Sequence, residues 1–367
     1  MTKNIGLIRR GTGRAIFEEI PTPQIRPDEI LVDAPGDDGT LVGCDYAGYV
    51  LEVGKAVKRE FKKGDRICGF SHGGTESARH VQLTPLATHS HLNTGNDARP
   101  ETGAFARQIV VKGDIQFHIP DHITFEAACT VGCGLMTATL ALHKFLDLPF
   151  PASTTNASGA AINGSREHPT VLIYGGSTAT GTLAIQLAKL SGANVLTTAS
   201  PKNMQFVESL GADRVFDHTS CNIASQIREA TNDQLALVFD CVSIDSTATI
   251  CAEAIGSNVT VAKYVNLLDV PCPRADVDSI FFLAYGASGE AYIFEGEHYP
   301  AEPSYHEHVR AFAPIAEKLW AEGKLREHPQ RLEGGGLQGA IEGMRVMKEG
   351  RYSGEKLVYR MEDTVEV

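Results

Sequence analysis

The chain has 367 residues, of which 43% are hydrophobic and 21% are charged, a composition typical of a globular protein with two domains. The net charge of −12 argues against nucleic acid as the main partner. The first ten residues lack the apolar core of a secretory signal, and no apolar run is long enough to span a bilayer. The eight cysteines form no CxxC pair, which favours reduced thiols and a cytoplasmic protein without a membrane partner.

The N-terminal third is rich in short strands and turns. Residues 1–125 therefore predict an all-β, barrel-type domain. Its clearest predicted strands are 29–32, 48–53, 66–70 and 105–111. Residues 126–145 predict a helix with one apolar face, and the Ser-, Thr- and Asn-rich residues 151–168 predict a surface loop.

From residue 170 to about residue 265 the pattern changes, because predicted strands and helices alternate. The predicted elements are 170–174, 180–191, 194–198, 203–210, 214–216, 224–230, 236–240, 246–255 and 259–264. Such alternation indicates a parallel sheet with right-handed crossovers. Amphipathic helices are expected at 305–323 and 337–348, and a last strand at 356–359.

The first strand of this region leads into a glycine turn and then a helix. The turn and helix start comprise Gly175, Gly176, Ser177, Thr178, Ala179, Thr180 and Gly181. Backbone N–H groups and the positive end of a helix dipole at such a turn attract an anion. The pattern therefore predicts binding of the pyrophosphate of a dinucleotide.

The second strand of this region ends in the run Ser200-Pro201-Lys202-Asn203, about 20 residues beyond the turn. An NAD site has an acidic residue there to accept from the ribose 2′-hydroxyl. A hydroxyl, an ammonium and an amide suit a 2′-phosphate instead, so the run predicts NADPH. Alternatively, the run is a serine–proline turn that caps the helix beginning near Asn203. His218, after the third strand, packs near the adenine or is an ordinary loop histidine.

Several motifs surround this turn in a fixed order. They are Gly43-Cys44-Asp45-Tyr46-Ala47-Gly48-Tyr49-Val50, Val53-Gly54, Lys63-Gly64-Asp65-Arg66-Ile67, Gly103-Ala104-Phe105-Ala106 and Ser353-Gly354-Glu355-Lys356-Leu357-Val358. Together they resemble the medium-chain dehydrogenase/reductase superfamily over nearly the whole chain. Within it, residues 174–181, 200–203 and 356–359 are most similar to the trans-acting enoyl reductases that serve fungal highly reducing polyketide synthases.

The resemblance implies an α/β fold, with a GroES-like β-barrel-type catalytic domain and a Rossmann domain built on a doubly wound parallel sheet. The expected domains are a GroES-like domain at 1–130, an NADPH-binding domain at 131–300 and a C-terminal return at 301–367. The resemblance also implies an active site in the cleft between the domains, a monomer, and an acyl thioester delivered by the carrier domain of a synthase.

Zinc-dependent members of the superfamily carry Gly-His-Glu where this chain has Gly43-Cys44-Asp45, and a cysteine ligand at the position of Cys133. Three ligands of these types satisfy the requirements of catalytic zinc. However, the histidine and an earlier ligand loop are missing, and Cys44 and Cys133 have the character of buried small residues. We therefore expect no metal.

The chain also departs from the family after its strand at 29–32. It turns through residues 34–39 directly into 41–43, where relatives have a longer loop that supplies polar groups near the nicotinamide. Cofactor binding does not need that loop, but catalysis is weakened without it. The missing loop supports the alternative of a catalytically impaired NADPH-binding protein. The other alternative is a quinone or enone oxidoreductase of the same superfamily, because the sequence does not define the substrate pocket.

In the implied reaction, hydride adds to the β carbon of an enoyl thioester, and negative charge develops on the thioester oxygen. Thr137 is the candidate donor to that oxygen, unless it bonds only to its own helix. The resemblance places Ala138 and residues Leu283, Ala284, Tyr285, Gly286 and Ala287 beside the substrate. The alternative for residues 283–287 is an apolar strand at the edge of the sheet, which would have a similar sequence. It places Tyr264, Val265, Val358 and Tyr359 beside the nicotinamide.

A basic run stands out in this acidic protein. It comprises Lys55, Lys58, Arg59, Lys62, Lys63 and Arg66. Such a run is more often a solvated loop than a binding surface. The alternative is contact with the acidic carrier domain that delivers the acyl chain.

Overall fold

The computed structural model describes residues 4–9, 15–20, 23–33, 43–72, 103–151, 168–294 and 297–365. Unit 1 consists of Met1–Met136 and Ala284–Val367, and unit 2 of Thr137–Leu283. The boundaries between the units therefore fall after residues 136 and 283, whereas domain boundaries were expected after residues 130 and 300. The second limit lies earlier because the Tyr285 ring packs on Phe70 and His72 of unit 1, at centroid distances of 5.6 and 4.2 Å. The predicted turn at 34–39 and loop residues 152–167 lie outside the described residues.

The N-terminal part of unit 1 consists of short strands. They are Ile5–Arg9 (β1), Ala15–Glu19 (β2), Glu29–Asp33 (β3), Asp45–Val53 (β4), Arg66–Phe70 (β5), Gln108–Lys112 (β6) and Phe117–His118 (β7). β1 pairs with β2, and the others form an antiparallel sheet in the order β6-β3-β4-β5-β7. Ile30, Val50, Ile67 and Ile109 are buried in its core. The strand-rich N-terminal domain is confirmed.

The helix predicted at 126–145 is three consecutive pieces. They are Phe125–Ala128 (α1), Gly132–Thr139 (α2) and a π-helical turn at Leu140–Phe145. α2 begins where β5 passes so closely that a Cβ on Gly132 would lie 2.0 Å from the carbonyl oxygen of Gly69. By length and composition, Phe125–Phe145 is apolar enough to cross a membrane, so our expectation that no run qualifies was wrong. Its most apolar window is 72% buried, as in the core helix of a globular protein.

Unit 2 contains a six-stranded parallel sheet with helices between its strands. Its elements are Thr170–Tyr174 (β8), Ala179–Leu190 (α3), Asn194–Ala199 (β9), Met204–Ser209 (α4), Arg214–Asp217 (β10), Ile223–Ala230 (α5), Leu237–Asp240 (β11), Asp245–Ala254 (α6), Ala262–Asn266 (β12) and Val277–Phe281 (β13). The strands lie in the order β10-β9-β8-β11-β12-β13. The chain order therefore runs outward from the centre in both directions, from β8 to β10 on one side and from β11 to β13 on the other, as in a doubly wound dinucleotide-binding sheet. The predicted Rossmann architecture is confirmed, with β13 as an additional strand.

The chain returns to unit 1 after β13. The returning elements are Tyr292–Phe294 (β14), Glu297–Tyr299 (β15), Pro303–Ala321 (α7), Gln330–Glu333 (β16), Gly336–Lys348 (α8) and Lys356–Tyr359 (β17). β14 and β15 pair antiparallel, and β16 and β17 pair parallel. Both predicted helices and the last strand are present. Strands β14 to β16 were not predicted, because each is short and shows no apolar alternation.

His118 joins three segments of unit 1. Its ring stacks on Phe61 with centroids 4.4 Å apart, and its Nδ1 lies 2.9 Å from Oε1 of Glu317. Its Nε2 lies 3.5 Å from Asp65, and Arg59 also binds Glu317, at 2.6 Å. The hydrogen bond with Glu317 raises the pKa of His118. Burial acts to raise the pKa of Glu317, but His118 and Arg59 together hold it below its ordinary value.

We expect this pair to give stability a pH dependence. The raised pKa of His118 makes its contribution complete below about pH 6.5, and the contribution is lost as the pH rises through the raised value. The contribution of Glu317 is present above about pH 4.5 and is lost as the pH falls through its lowered pKa. His118→Gln should therefore lower the free energy of unfolding at about pH 6 by at most about 1 kcal/mol, since solvent screens this partly exposed ring.

Urea unfolding at about pH 6 and about pH 8.5 measures the effect. A smaller loss is expected at the higher pH, because the charge-dependent contribution of His118 falls as the pH rises through its raised pKa. Equal losses at both values would show that the imidazole acts through packing on Phe61 and not through its charge.

Candidate functional site

The turn between β8 and α3 has the geometry that its sequence predicts. β8 ends at Tyr174, Gly175 adopts a left-handed φ of 83°, and α3 begins at Ala179. Thr178 occupies the N-cap position, and its Oγ1 accepts a hydrogen bond from the N–H of Gly181 at 3.0 Å. A strand, a sharp bend and a capped helix start therefore follow one another directly.

Three glycines allow this turn to lie flat against its neighbours. A Cβ on Gly175 would lie 2.7 Å from Cγ2 of Val242, in the loop after β11. A Cβ on Gly176 would lie 2.1 Å from Oγ1 of Thr197 on β9. A Cβ on Gly181 would lie 2.3 Å from the carbonyl oxygen of Gly175. Side chains at these positions would push the helix start away from the sheet.

The N-terminal end of α3 is suited to bind an anion. The first-turn amides of Ala179 and Thr180 have no carbonyl partner within the helix, and the positive end of the helix dipole lies at the same point. Beside them, Gly175 and Gly176 project no side chain that would block the approach of a ligand to these two amides, while their own N–H groups donate to Thr198. These residues fit the pyrophosphate of a dinucleotide, which such turns bind in other doubly wound sheets.

The run at the carboxyl end of β9 forms a 3₁₀ turn, Pro201–Asn203, before α4. Ser200 is the N-cap of that turn, but its side chain makes no capping hydrogen bond, and neither does that of Asn203 for α4. The serine–proline turn of the alternative prediction is therefore present, but neither side chain caps the turn or α4. Oγ of Ser200 is buried and has no hydrogen-bond partner among the described residues, while Lys202 is exposed. A buried hydroxyl without a partner costs about 1–3 kcal/mol, so this one is suited to a ligand oxygen.

The other predicted cofactor residues of unit 2 lie near the same edge of the sheet. His218 directly follows β10; its side chain is exposed and its N–H donates to the carbonyl of Ala199 at 3.2 Å. Tyr264 and Val265 lie near the carboxyl end of β12 with fully buried side chains. Any contact with a cofactor there would involve their backbone, as the sequence analysis expects.

A buried carboxylate that was not among the predicted site residues organises this edge. Asp240 is the last residue of β11. Its Oδ1 accepts from the N–H groups of Val242 and Ser243, each at 2.9 Å. Its Oδ2 accepts from the hydroxyls of Thr247 at 2.6 Å and Tyr264 at 3.0 Å. Burial raises the pKa of Asp240, although these donors oppose the rise. An Asp at the end of a buried strand, followed by Ser and Thr, was the available signal.

The remaining predicted residues are divided between the units. Thr137 and Ala138 lie in α2 and are buried, at the start of unit 2. Val358 and Tyr359 lie in β17 of unit 1. The hydroxyl of Tyr359 approaches α8 so closely that a Cβ on Gly343 would lie 1.8 Å from it. The structure therefore assigns Tyr359 a packing role within unit 1.

The predicted substrate segment 283–287 is not an edge strand, because β13 ends at Phe281 and a 3₁₀ turn occupies Ala284–Ser288. Leu283 is the last residue of unit 2, whereas Ala284, Tyr285, Gly286 and Ala287 belong to unit 1. Tyr285 is buried and stacks on His72, with an interplanar angle of 14°. Its hydroxyl lies 3.7 Å from Sγ of Cys44, and burial raises the pKa of Tyr285 well above its usual value.

The three residues considered as zinc ligands meet in unit 1. Oδ1 of Asp45 accepts from the N–H of Cys133 at 2.7 Å, and Oδ2 binds Nζ of Lys356 at 2.5 Å. A hydrogen bond with Cys44 and burial raise the pKa of Cys133, so its thiol keeps its proton. Among the described residues, no group of three His, Cys, Asp or Glu side chains is arranged to hold a metal ion. In this structure Asp45 is therefore neutralised by an ammonium group.

Removal of that ammonium should destabilise unit 1. We expect Lys356→Met to lower the free energy of unfolding by about 1–3 kcal/mol, because it leaves the mostly buried Asp45 carboxylate unpaired. Urea unfolding measures the change, with Lys348→Met at an exposed position of α8 as the control. Equal effects of the two substitutions would refute a stabilising role for the pair. Metal analysis of the wild-type protein is expected to find no stoichiometric zinc.

Adding a single methyl group to the glycine turn tests its role in cofactor binding. Gly176→Ala places a Cβ against Thr197, so the turn must move from β9, and we expect affinity for NADPH to fall at least about 10-fold. Gly334→Ala is the matched control, since its Cβ would meet nothing within 4 Å. Titration of NADPH fluorescence measures both variants. Undiminished affinity in Gly176→Ala would exclude this turn from cofactor binding.

Comparison with known proteins agrees with this architecture. The family profile described as the alcohol dehydrogenase GroES-like domain matches residues 23–121, and that described as zinc-binding dehydrogenase matches residues 179–269. Among solved structures, the CurK enoyl reductase superposes with a TM-score of 0.69 at 15% identity, covering 98% of this chain and all of that one. A quinone oxidoreductase of Pseudomonas syringae pv. Tomato DC3000 gives 0.64 at 17% identity, with the same coverage. At these identities the superpositions establish the fold alone.

Relatives found by sequence similarity identify the family more narrowly than these superpositions do. The trans-enoyl reductase ACTTS2 of Alternaria alternata is 35% identical over 373 aligned positions, which cover 97% of this chain and 98% of the relative. The trans-enoyl reductase TOXD of Cochliobolus carbonum is 42% identical over 289 positions, covering 74% and 86%. The trans-enoyl reductase resD of Aspergillus sclerotiorum is 35% identical, covering 95% and 97%. The chain therefore belongs to the trans-enoyl reductase family of the medium-chain dehydrogenase/reductase superfamily, whose members are oxidoreductases with a nicotinamide cofactor.

Proposed function

We propose that this chain is an NADPH-dependent enoyl reductase that acts in trans with a polyketide synthase. Its substrate is an α,β-unsaturated acyl thioester carried by the synthase, and it works as a cytoplasmic monomer. Full-length similarity to trans-enoyl reductases supports the reaction class. The preference for NADPH rests on the run at the end of β9, where the buried hydroxyl of Ser200 has no partner among the described residues, Lys202 is exposed and no carboxylate occurs.

The residues around that hydroxyl suit a phosphate better than a ribose hydroxyl. The run from Ser200 to Asn203 contains no carboxylate to accept from a 2′-hydroxyl or to repel a 2′-phosphate. Lys202 adds an exposed ammonium, and a charge-assisted hydrogen bond to phosphate is about twice as strong as a neutral one. Ser200 and Lys202 would therefore hold the 2′-phosphate, while the glycine turn and the start of α3 hold the pyrophosphate.

Bound NADPH supplies the hydride that adds to the β carbon of the substrate. The electrons of the carbon–carbon double bond would then move toward the thioester carbonyl, and a proton taken from solvent would add to the α carbon to complete the reduction. The protein must stabilise the negative charge that develops on the carbonyl oxygen. Thr137 is our candidate for this role, because the family resemblance places its stretch beside the substrate and its side chain is buried, where water competes little for a hydrogen bond.

The reaction class is tested by substrate comparison. Wild-type protein should oxidise NADPH in the presence of crotonyl-pantetheine thioester and should be much slower with a simple quinone. The opposite order would indicate a quinone reductase. NADPH binding without turnover of either substrate would indicate an impaired enzyme.

The phosphate assignment is tested by Lys202→Ala and Ser200→Ala. We expect Lys202→Ala to weaken NADPH binding about 10-fold, which corresponds to about 1.4 kcal/mol, and Ser200→Ala to weaken it about 3- to 10-fold. NADH lacks the 2′-phosphate, so its affinity should change by less than about twofold and serves as the internal control. Parallel losses for both nucleotides would show a general distortion of the turn. No loss for either would remove these residues from the site.

A further inference from the structure

The connection between β4 and β5, residues 54–65, is called the basic loop here. It carries four exposed lysines, Lys55, Lys58, Lys62 and Lys63, on a protein whose net charge is −12. In the part of the chain that the structure describes, none of their ammonium groups forms an ion pair. Lys58 helps to lower the pKa of Glu307, but Arg310 does so first, by bonding that carboxylate directly.

The two arginines of the same basic run behave differently, because both point into unit 1. Arg59 binds the largely buried Glu317 at 2.6 Å. Arg66 donates to the carbonyl of Pro120 at 3.3 Å, and its guanidinium lies 4.7 Å from the ring centroid of Phe125. The run therefore divides into inward arginines with structural partners and outward lysines whose ammonium groups form no ion pair with any described residue.

The backbone of the basic loop is anchored along its length. Oδ1 of Asp114 accepts from the N–H groups of Lys58 at 2.7 Å and Arg59 at 3.0 Å. At the two ends, the N–H of Gly54 donates to the carbonyl of Glu29 at 2.7 Å, and the N–H of Gly64 donates to Val50 at 2.8 Å. Beneath the loop, Val57 and Phe61 pack on the core of the β-sheet. The lysines therefore extend from a backbone that hydrogen bonds and apolar contacts hold in place.

The four exposed lysines outnumber Glu60, the exposed carboxylate of the same loop, so the loop presents a surplus of positive charge that is complementary to an acidic surface. We propose that the basic loop is the docking surface for the acidic carrier domain that delivers the acyl thioester, an inference that rests on the proposed function. The anchoring of the loop favours this over a merely solvated run, because a preformed surface loses less conformational entropy on binding. Nucleic acid is disfavoured by the acidity of the whole protein.

The test compares two double variants with the same change in net charge. Lys55→Glu/Lys62→Glu alters the basic loop, and Lys324→Glu/Lys348→Glu alters exposed lysines elsewhere in unit 1. The probe is a purified carrier domain whose phosphopantetheine arm bears a crotonyl group. We expect the loop variant to lose about 10-fold in kcat/KM at low salt through KM, with kcat unchanged, and the difference to vanish near 0.5 M NaCl. The control should stay within about twofold of wild type.

Two further measurements separate this proposal from the proposed function. Turnover of the small crotonyl-pantetheine thioester, which has no carrier surface, should be equal in all three proteins; its absence in wild type would overturn the reductase assignment alone. Fluorescence anisotropy with the labelled carrier domain reports docking without turnover. Equal carrier affinity in wild type and the loop variant would overturn the docking surface. Equal losses of kcat/KM in the loop variant and the control variant would also overturn it. The same holds if a labelled single-stranded oligonucleotide binds the loop as tightly as the carrier domain does.

Discussion

The close approach of backbone to backbone at the bend between β8 and α3 is the constraint on which the candidate cofactor site depends. Gly176 lies where a methyl group would meet Thr197, and Gly181 lies where one would meet the carbonyl of Gly175. Without side chains at these points, the helix starts directly on the sheet. Its dipole and its first-turn amides would then face a ligand at the position where the strand order reverses.

The end of β9 connects this bend to the residues that would choose between nucleotides. Thr198 accepts the N–H of Gly175 on its side chain and the N–H of Gly176 on its carbonyl, each at 2.9 Å. Two residues later, the buried hydroxyl of Ser200 has no partner in the part of the chain that the structure describes. One strand end therefore positions both the pyrophosphate turn and the predicted 2′-phosphate site. On the other side of β8, the buried carboxylate of Asp240 holds the ends of β11 and β12 together.

Unit 1 uses its charges in two ways. Inside, ion pairs neutralise groups that burial would otherwise penalise, as Lys356 does for Asp45 and Arg59 does for Glu317. Outside, the lysines of the basic loop have no such partners among the described residues, although the loop that carries them is firmly attached. Side chains that are close in sequence thus serve opposite purposes, and their direction relative to the sheet distinguishes them.

The sequence by itself determined the fold class, the glycine turn, the order of the strands and helices, and the run beyond β9, because these depend on local periodicity and on backbone freedom at particular residues. Only the tertiary structure decided which polar groups were satisfied. It showed that Ser200 does not cap its helix, that Asp240 gathers four donors, that Tyr285 is buried on His72 and that Asp45 is paired with Lys356. It also divided the basic run into inward arginines and outward lysines. Such partners lie far apart along the chain. Residue spacing in a single sequence does not indicate contacts that form only when distant segments pack together.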